Sequence, residues 1–367
     1  MEIMARCKRT THKNNIVILC EGSDTEVKYF CDLKSYVEEL HPDSFSDIKI
    51  LPVADEIIRE KKGSRRKKTL RQPIPSLHSD KHYWCKWEHT DEEYELYKAQ
   101  PTRYVRETQL YMEEDGYVEG WAVFDKDTFT DHQTAFKLAE EIEGLHIAFS
   151  SHCFEEWLLL HFERNPHLFS ASVCKNDDKD RGCGTNVPGD CHGTVCLGGY
   201  IREKRYIPDY AKSQESIFTT YTLPHIPLCY LNAAWTRTLS DNPPYECNPY
   251  TNIDMLVKRL SGDTRIFHWY HTNENIALCG TTIRVSIANR TVTIENTGNR
   301  ALILKADTCM LCNEYAEVTR RLSLDILEPK SNKEIQLAEN EYFLHLRAGN
   351  DWSYILTTSS HSSATTG

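Results

Sequence analysis

With 367 residues, 40% of them hydrophobic and 26% charged, the chain has ordinary globular composition and length enough for two or three domains. A net charge of −11 excludes a surface coated in nucleic-acid-binding residues and leaves open one basic groove on an acidic body, because local charge governs binding. No run of about 18 apolar residues occurs and the first residues lack the apolar core of a signal peptide, so the expectation is a cytoplasmic protein with no membrane association.

The first predicted strand is the apolar run Ile16-Val17-Ile18-Leu19-Cys20, which reads as buried on both faces in a parallel sheet. Glu21-Gly22 follows it directly, then Ser23-Asp24-Thr25-Glu26. A helix is predicted over 24–39, with Tyr29, Phe30, Leu33, Tyr36, Val37 and Leu40 at helical spacing. Residues 47–53 alternate and end near Pro52, as a second strand would. Strand, helix and strand in that order start an α/β unit.

Residues 54–101 break this rhythm and read as an insertion. They hold the basic run Lys61, Lys62, Arg65, Arg66, Lys67, Lys68 and Arg71, with Trp84 and Trp87 downstream. Such a loop suits a phosphate backbone with bases stacked on the aromatics, while the bland reading is a solvated charged loop. A helix at 103–112 leads into the second strongly apolar run, Trp121-Ala122-Val123-Phe124, which ends in Asp125-Lys126-Asp127. A helix at 134–143, a strand at 145–150 and an apolar helix at 154–162, opened by Glu155 and Glu156, complete this part.

A polar, Gly-rich stretch at about 175–200 reads as a second insertion, and helices are expected at 211–221 and 251–260. From residue 278 the texture changes to alternating Val, Ile and Thr, with strands expected at 282–287, 291–296 and 301–304 and a turn at 296–299. This spacing indicates a small β-sandwich. The expected domains are therefore 1–270, α/β with both insertions, and 275–357, all-β, with 358–367 a disordered Ser/Thr-rich tail.

Carboxylates at the carboxyl ends of parallel strands project into the crevice where open α/β sheets bind ligands. Asp125 and Asp127, two apart on an extended segment, face one way and can share a hard cation such as Mg²⁺ or Mn²⁺, with Glu21 as ligand or general base. The bland alternative is that the two aspartates only cap the next helix. Glu155 and Glu156 fit a helix N-terminus for electrostatic reasons alone, yet one of them could reach the same metal. His161 reads as a core histidine.

Fourteen cysteines without a secretory signal do not imply a disulfide framework. Cys183, Cys191, His192 and Cys196, with Cys174 nearby, admit two readings: a structural Zn²⁺ site or free loop thiols. Cys309-Met310-Leu311-Cys312 has no second pair close by and is assigned to a β-domain strand or turn.

Four segments, ILCEGSDTEVKYF (18–30), WAVFDKDTF (121–129), IAFSSHCFEEWLLLHF (147–162) and NPYTNIDMLVKRL (248–260), resemble the RloB-like family in order and spacing. The resemblance covers about 14–262. It implies a topoisomerase–primase (Toprim) type, mostly parallel sheet flanked by helices, in which Glu21, Asp125 and Asp127 are the functional carboxylates and Glu26 the second acidic residue of the first motif. It also implies a place in prokaryotic anti-phage or abortive-infection defence beside a partner ABC-type ATPase. The Ser151-His152-Cys153 triplet, the two large insertions and the β domain depart from the family pattern.

The resulting expectation is a Mg²⁺- or Mn²⁺-dependent nuclease acting on DNA or RNA, tRNA included, under control of the ATPase. The rivals are a non-catalytic docking protein that works through the β domain and a primase-like nucleotidyl transferase. No Gly-x-x-x-x-Gly-Lys-Ser/Thr occurs in the chain, so an ATPase site is not expected here.

Overall fold

Five consecutive residues with no exposed surface, Ile16 to Cys20, form the spine of the first sheet. The computed structural model describes residues 15–22, 24–42, 47–51, 92, 100–126, 129–166, 168–169, 196–324 and 326–357. The chain divides into two compact units, Met1–His225 with Ser240–Gly262, and Ile226–Leu239 with Asp263–Gly367.

The elements run β1 (Asn15–Cys20), α1 (Thr25–Leu40), β2 (Asp47–Leu51), α2 (Thr102–Asp115), β3 (Glu119–Asp125), α3 (His132–Glu140), β4 (Leu145–Ser151), α4 (Phe154–Leu159), α5 (Leu197–Glu203), α6 (Ile226–Thr236), β5 (Tyr250–Thr251) and α7 (Ile253–Ser261). The first sheet has the order β2-β1-β3-β4-β5. β1 to β4 are parallel, and the two-residue β5 runs antiparallel to β4. From β1 the chain goes to β2 on one side and then crosses to β3 on the other. The carboxyl ends of β1 and β3 are thus the point where the winding reverses, the place where open α/β sheets form their ligand crevice.

Alternation along the strands divides the core. Val17, Leu19, Ala122, Phe124, Ile147 and Phe149 pack with Tyr104 and Val105 of α2 and with Ala135 and Ala139 of α3. Elsewhere in the unit, Tyr29 of α1 meets Phe154 and Trp157 of α4 and Phe218 edge-on, at centroid distances of 5.4, 6.5 and 5.5 Å. Each such buried ring contributes about 1.5–3 kcal/mol over an exposed one. This aromatic wedge holds α1 and α4, the two helices that carry Glu26 and Glu155, in fixed register.

The second unit contains α6 and two sheets built from β6 (Ile266–Tyr270), β7 (Asn275–Leu278), β8 (Thr281–Ala288), β9 (Thr291–Asn296), β10 (Cys309–Cys312), β11 (Val318–Arg321), β12 (Asn332–Gln336), β13 (Phe343–Ala348) and β14 (Asp351–Leu356). Their orders are β11-β10-β13-β14-β6 and β12-β9-β8-β7, antiparallel except for the β14–β6 pair. Ile276, Ile283, Val285, Val292 and Ile294 of one sheet share a core with Leu311, Leu344, Leu346 and Ile355 of the other, which is a sandwich.

The β8–β9 hairpin turns at Asn289-Arg290, both at positive φ (49° and 61°). Two successive left-handed residues match the twist of the flanking strands in a two-residue loop. The chain bends again after β9, where the Gly298 N–H donates to Asn296 Oδ1 at 3.1 Å. Two expectations are corrected here, those for 301–304 and 211–221. Residues 301–304 form no strand: Leu302 makes a single bridge with Leu327, and Ile303 points to solvent. The expected helix at 211–221 is irregular through its first half and coils only at Phe218–Thr222. The Cys-x-x-Cys pair lies within β10, where residues three apart face opposite ways, and both thiols are free. Among the described residues no helix is long and apolar enough to cross a membrane.

Candidate active site

Glu21 and Asp125 meet at the winding reversal. The Glu21 backbone N–H continues the parallel ladder by donating to the Val123 carbonyl at 2.8 Å. This leaves its side chain beside the end of β3, where Oε2 accepts the Asp125 backbone N–H at 2.9 Å. Both residues are nearly buried. His132 Nε2–H donates to the Asp125 carbonyl at 3.1 Å and so fixes the strand end. Burial holds the His132 imidazole below its usual range, which favours the neutral ring. Tyr104 packs against Phe124, and burial together with the Glu21 charge pushes its phenol far above the ordinary value.

Glu26 opens α1 on the other side of Gly22 and is also nearly buried. Loss of water pushes its carboxyl up to about 7; Glu155 and Asp24 add to the rise and Lys212 opposes it. Glu155, at the start of α4, accepts the Tyr210 hydroxyl at 2.7 Å on Oε1 and lies 4.0 Å from the Lys212 ammonium. The Lys212 charge is held above its usual range, first by Glu155 and then by Glu26, Cys153 and Asp125. Glu26, Asp125 and Glu155 therefore lie within electrostatic reach of one ammonium.

The two neighbouring glutamates are now sorted. Neighbouring positions on α4 point about 100° apart, so Glu155 faces Lys212 while Glu156, equally buried, faces another side. There burial and Glu163 push the Glu156 carboxyl up to about 8, and its Oε1 has no partner among the described residues. Burial therefore favours the neutral form of the Glu156 carboxyl. His161 is a core histidine as expected: Nδ1–H donates to the Trp157 carbonyl at 2.9 Å, and burial pulls the ring down to about 3. The Lys126 ammonium donates to the Cys247 carbonyl at 3.3 Å. Cys20 and Cys153 are fully buried with thiols pushed up by desolvation and by the nearby carboxylates, so neither offers a thiolate nucleophile.

Asp127, the basic residues Lys61, Lys62, Arg65, Arg66, Lys67, Lys68 and Arg71, and Cys183, Cys191 and His192 lie outside the described residues. Cys196 is fully buried and directly precedes α5. Among the described residues no three His, Cys, Asp or Glu side chains form a group able to hold a metal ion. Glu21 and Asp125 supply two carboxylates, an all-oxygen set of the type Mg²⁺ uses when it keeps most of its waters and binds through one or two carboxylates plus substrate phosphate. The residues present fit a hard divalent cation in that limited sense.

Thr25, Tyr210 and Lys212 join the site without any local sequence signal. Thr25 Oγ1 donates to the Lys212 carbonyl at 3.1 Å, a contact between residues 187 positions apart.

A model of the family described as RloB-like protein matches residues 16–260, about two thirds of the chain. Neither a curated protein nor a solved structure matches it.

Proposed function

Because the chain belongs to the RloB-like family, we propose that its first unit is a Toprim-type nuclease of prokaryotic anti-phage defence, hydrolysing phosphodiester bonds of DNA or RNA. The observation that supports this reading best is the meeting of Glu21 and Asp125 at the reversal of the sheet, with Glu26 and Glu155 close behind. Mg²⁺ or Mn²⁺ would be held by Glu21 and Asp125, with Asp127 as the third carboxylate. Such an ion supplies charge neutralisation at the phosphate and a water acidic enough to attack. The protein's own part is placement. The Asp125 N–H orients the Glu21 carboxylate toward the crevice, and His132 holds the β3 end in place. Glu21 would act either as a ligand or as the group that accepts a proton from the attacking water. The basic run at 61–71 would track the phosphate backbone, and a partner ABC-type ATPase would control the activity.

The test is cleavage of labelled plasmid DNA, single-stranded DNA and total tRNA by the full chain in Mg²⁺, Mn²⁺ or EDTA, beside Asp125→Ala. Metal-dependent products absent from the variant support the reading and name the substrate class. Products that persist in the variant or in EDTA overturn it.

One observation favours a second reading, a docking protein without catalysis: the Lys212 ammonium already neutralises part of the carboxylate group. That reading expects no cleavage and unchanged partner binding by Glu21→Ala.

A further inference from the structure

The acidic crevice carries a cation of its own. Residues 210–215 form an irregular strap pinned at several points. Thr25 Oγ1 donates to the Lys212 carbonyl at 3.1 Å, and the Lys28 ammonium donates to the Ser213 carbonyl and lies 3.7 Å from Glu215. The buried Tyr210 hydroxyl donates to Glu155 Oε1 at 2.7 Å. With its backbone fixed over the first turn of α1, Lys212 brings its ammonium to 4.0 Å from the same Glu155 oxygen, within reach of the Glu26 and Asp125 charges. Its side chain is 47% exposed, whereas that of Glu155 is 1% exposed, so the ammonium closes the solvent side of a buried carboxylate.

We propose that Lys212 is the resident cation of this crevice: it occupies the Glu155–Glu26 side, confines the divalent ion to the Glu21–Asp125 side, and sets the capacity at one ion per chain. This deepens the nuclease reading and rests on it for the divalent ion. The physical reason is charge competition at short range. Converging carboxylates need positive charge between them, and a tethered ammonium supplies it without a binding cost in free ion. A second divalent ion at Glu155 would have to displace an ammonium whose backbone is pinned and whose charge repels it. Glu155 Oε1 is also already engaged by Tyr210. Phosphodiester cleavage in this chain would then run with one divalent ion, with the lysine charge on the side where a two-ion site holds its second.

The experiment counts Mn²⁺ bound to the full chain by titration calorimetry and by the electron-paramagnetic-resonance signal of free Mn²⁺, for wild type, Lys212→Met and Lys212→Arg. Circular dichroism checks that the variants fold. The expected result is one Mn²⁺ per wild-type and Lys212→Arg chain. Lys212→Met should take a second ion or bind the first at least ~tenfold more tightly, since a like charge a few ångströms away has been removed. Two ions in wild type overturn the proposal, as does a Lys212→Met chain that binds one ion with unchanged affinity; the latter leaves the nuclease reading intact. Mn²⁺ bound only by Lys212→Met supports a resident lysine cation while refuting metal-dependent cleavage by the wild-type chain. No binding by any of the three overturns both.

Discussion

Gly22 lies so close to the Glu26 carboxylate that a β-carbon there would stand 2.5 Å from Oε2. The obstacle is the far end of a flexible side chain, so an added methyl would be accommodated by moving the carboxylate and not the backbone. Gly22→Ala is therefore expected to fold, with a thermal midpoint within a few degrees of wild type, while metal-dependent cleavage falls by about tenfold or more. An unfolded Gly22→Ala chain, or one with full cleavage activity, would contradict this.

Glu21 has two separable duties, accepting the Asp125 N–H and carrying charge. Glu21→Gln keeps an oxygen for the N–H and loses the charge. Cleavage should drop by roughly 10²-fold or more, the usual size of a lost acid–base or ligand function, with little change in midpoint. Glu21→Ala should add a stability loss of about 1–3 kcal/mol from the unsatisfied buried N–H. Urea melts of both variants beside a cleavage assay separate the two effects, and equal stability of Gln and Ala would show that the hydrogen bond is not the tie it is taken to be.

The contrast between Glu21 and Lys212 explains what could be read in advance. β1 and β3 are continuous apolar runs, so the residue after each run is positioned by strand geometry alone, and Glu21 and Asp125 follow from it. The order of strands follows from short right-handed crossovers. Nothing local marks Lys212, which reaches the carboxylates only because a strap 187 residues from Thr25 folds back over α1. Its surroundings even read as helical. Glu155 and Glu156 were indistinguishable because their fates depend on how α4 is rotated about its axis, which is set by the packing of Phe154 and Trp157 against Tyr29. Residues 301–304 misled because alternation records burial, and Leu302 and Leu304 are buried without a strand partner along their length.

Asn252 extends the edge of β4 with its side chain. Its Oδ1 accepts the Phe149 N–H at 2.6 Å, and its Nδ2 donates to the Ile147 carbonyl at 2.9 Å. Its own backbone N–H donates to the Phe149 carbonyl at 3.1 Å. Asn252→Ala leaves two main-chain groups of buried residues unpaired, at about 2–5 kcal/mol in all. Denaturant melts should show that loss, and Asn252→Asp, which keeps only the acceptor, should recover part of it. A loss below about 1 kcal/mol would mean that water replaces the side chain.

His345 makes the second unit sensitive to acid. It is buried against Tyr354, with ring centroids 4.1 Å apart, and burial with help from Arg347 pulls its ring down to about 3. The unfolded chain, near 6.5, binds the proton more readily than the folded one. The contribution to stability is thus complete above pH 6.5 and is lost as pH falls toward 3, with a slope of at most about 1.4 kcal/mol per pH unit. Melts followed by tryptophan fluorescence should show this fall in wild type and a smaller one in His345→Phe. Parallel curves for the two proteins would remove His345 as the cause.

Helix α6 belongs to the second unit, yet it lies in sequence between two stretches of the first. Every one of its residues except Pro227 is buried, and Tyr230 meets Phe267 of β6 at 5.5 Å between ring centroids. The two units are therefore interleaved along the gene and not joined in tandem. A stop codon after Gly262 would keep the helix and discard its sheet, giving a chain with an uncovered apolar rod and a tendency to aggregate. Inheritance has the same constraint: recombination at a single point near residue 262 cannot exchange one sandwich for another, because the helix that belongs with it stays behind in the donor of the first unit.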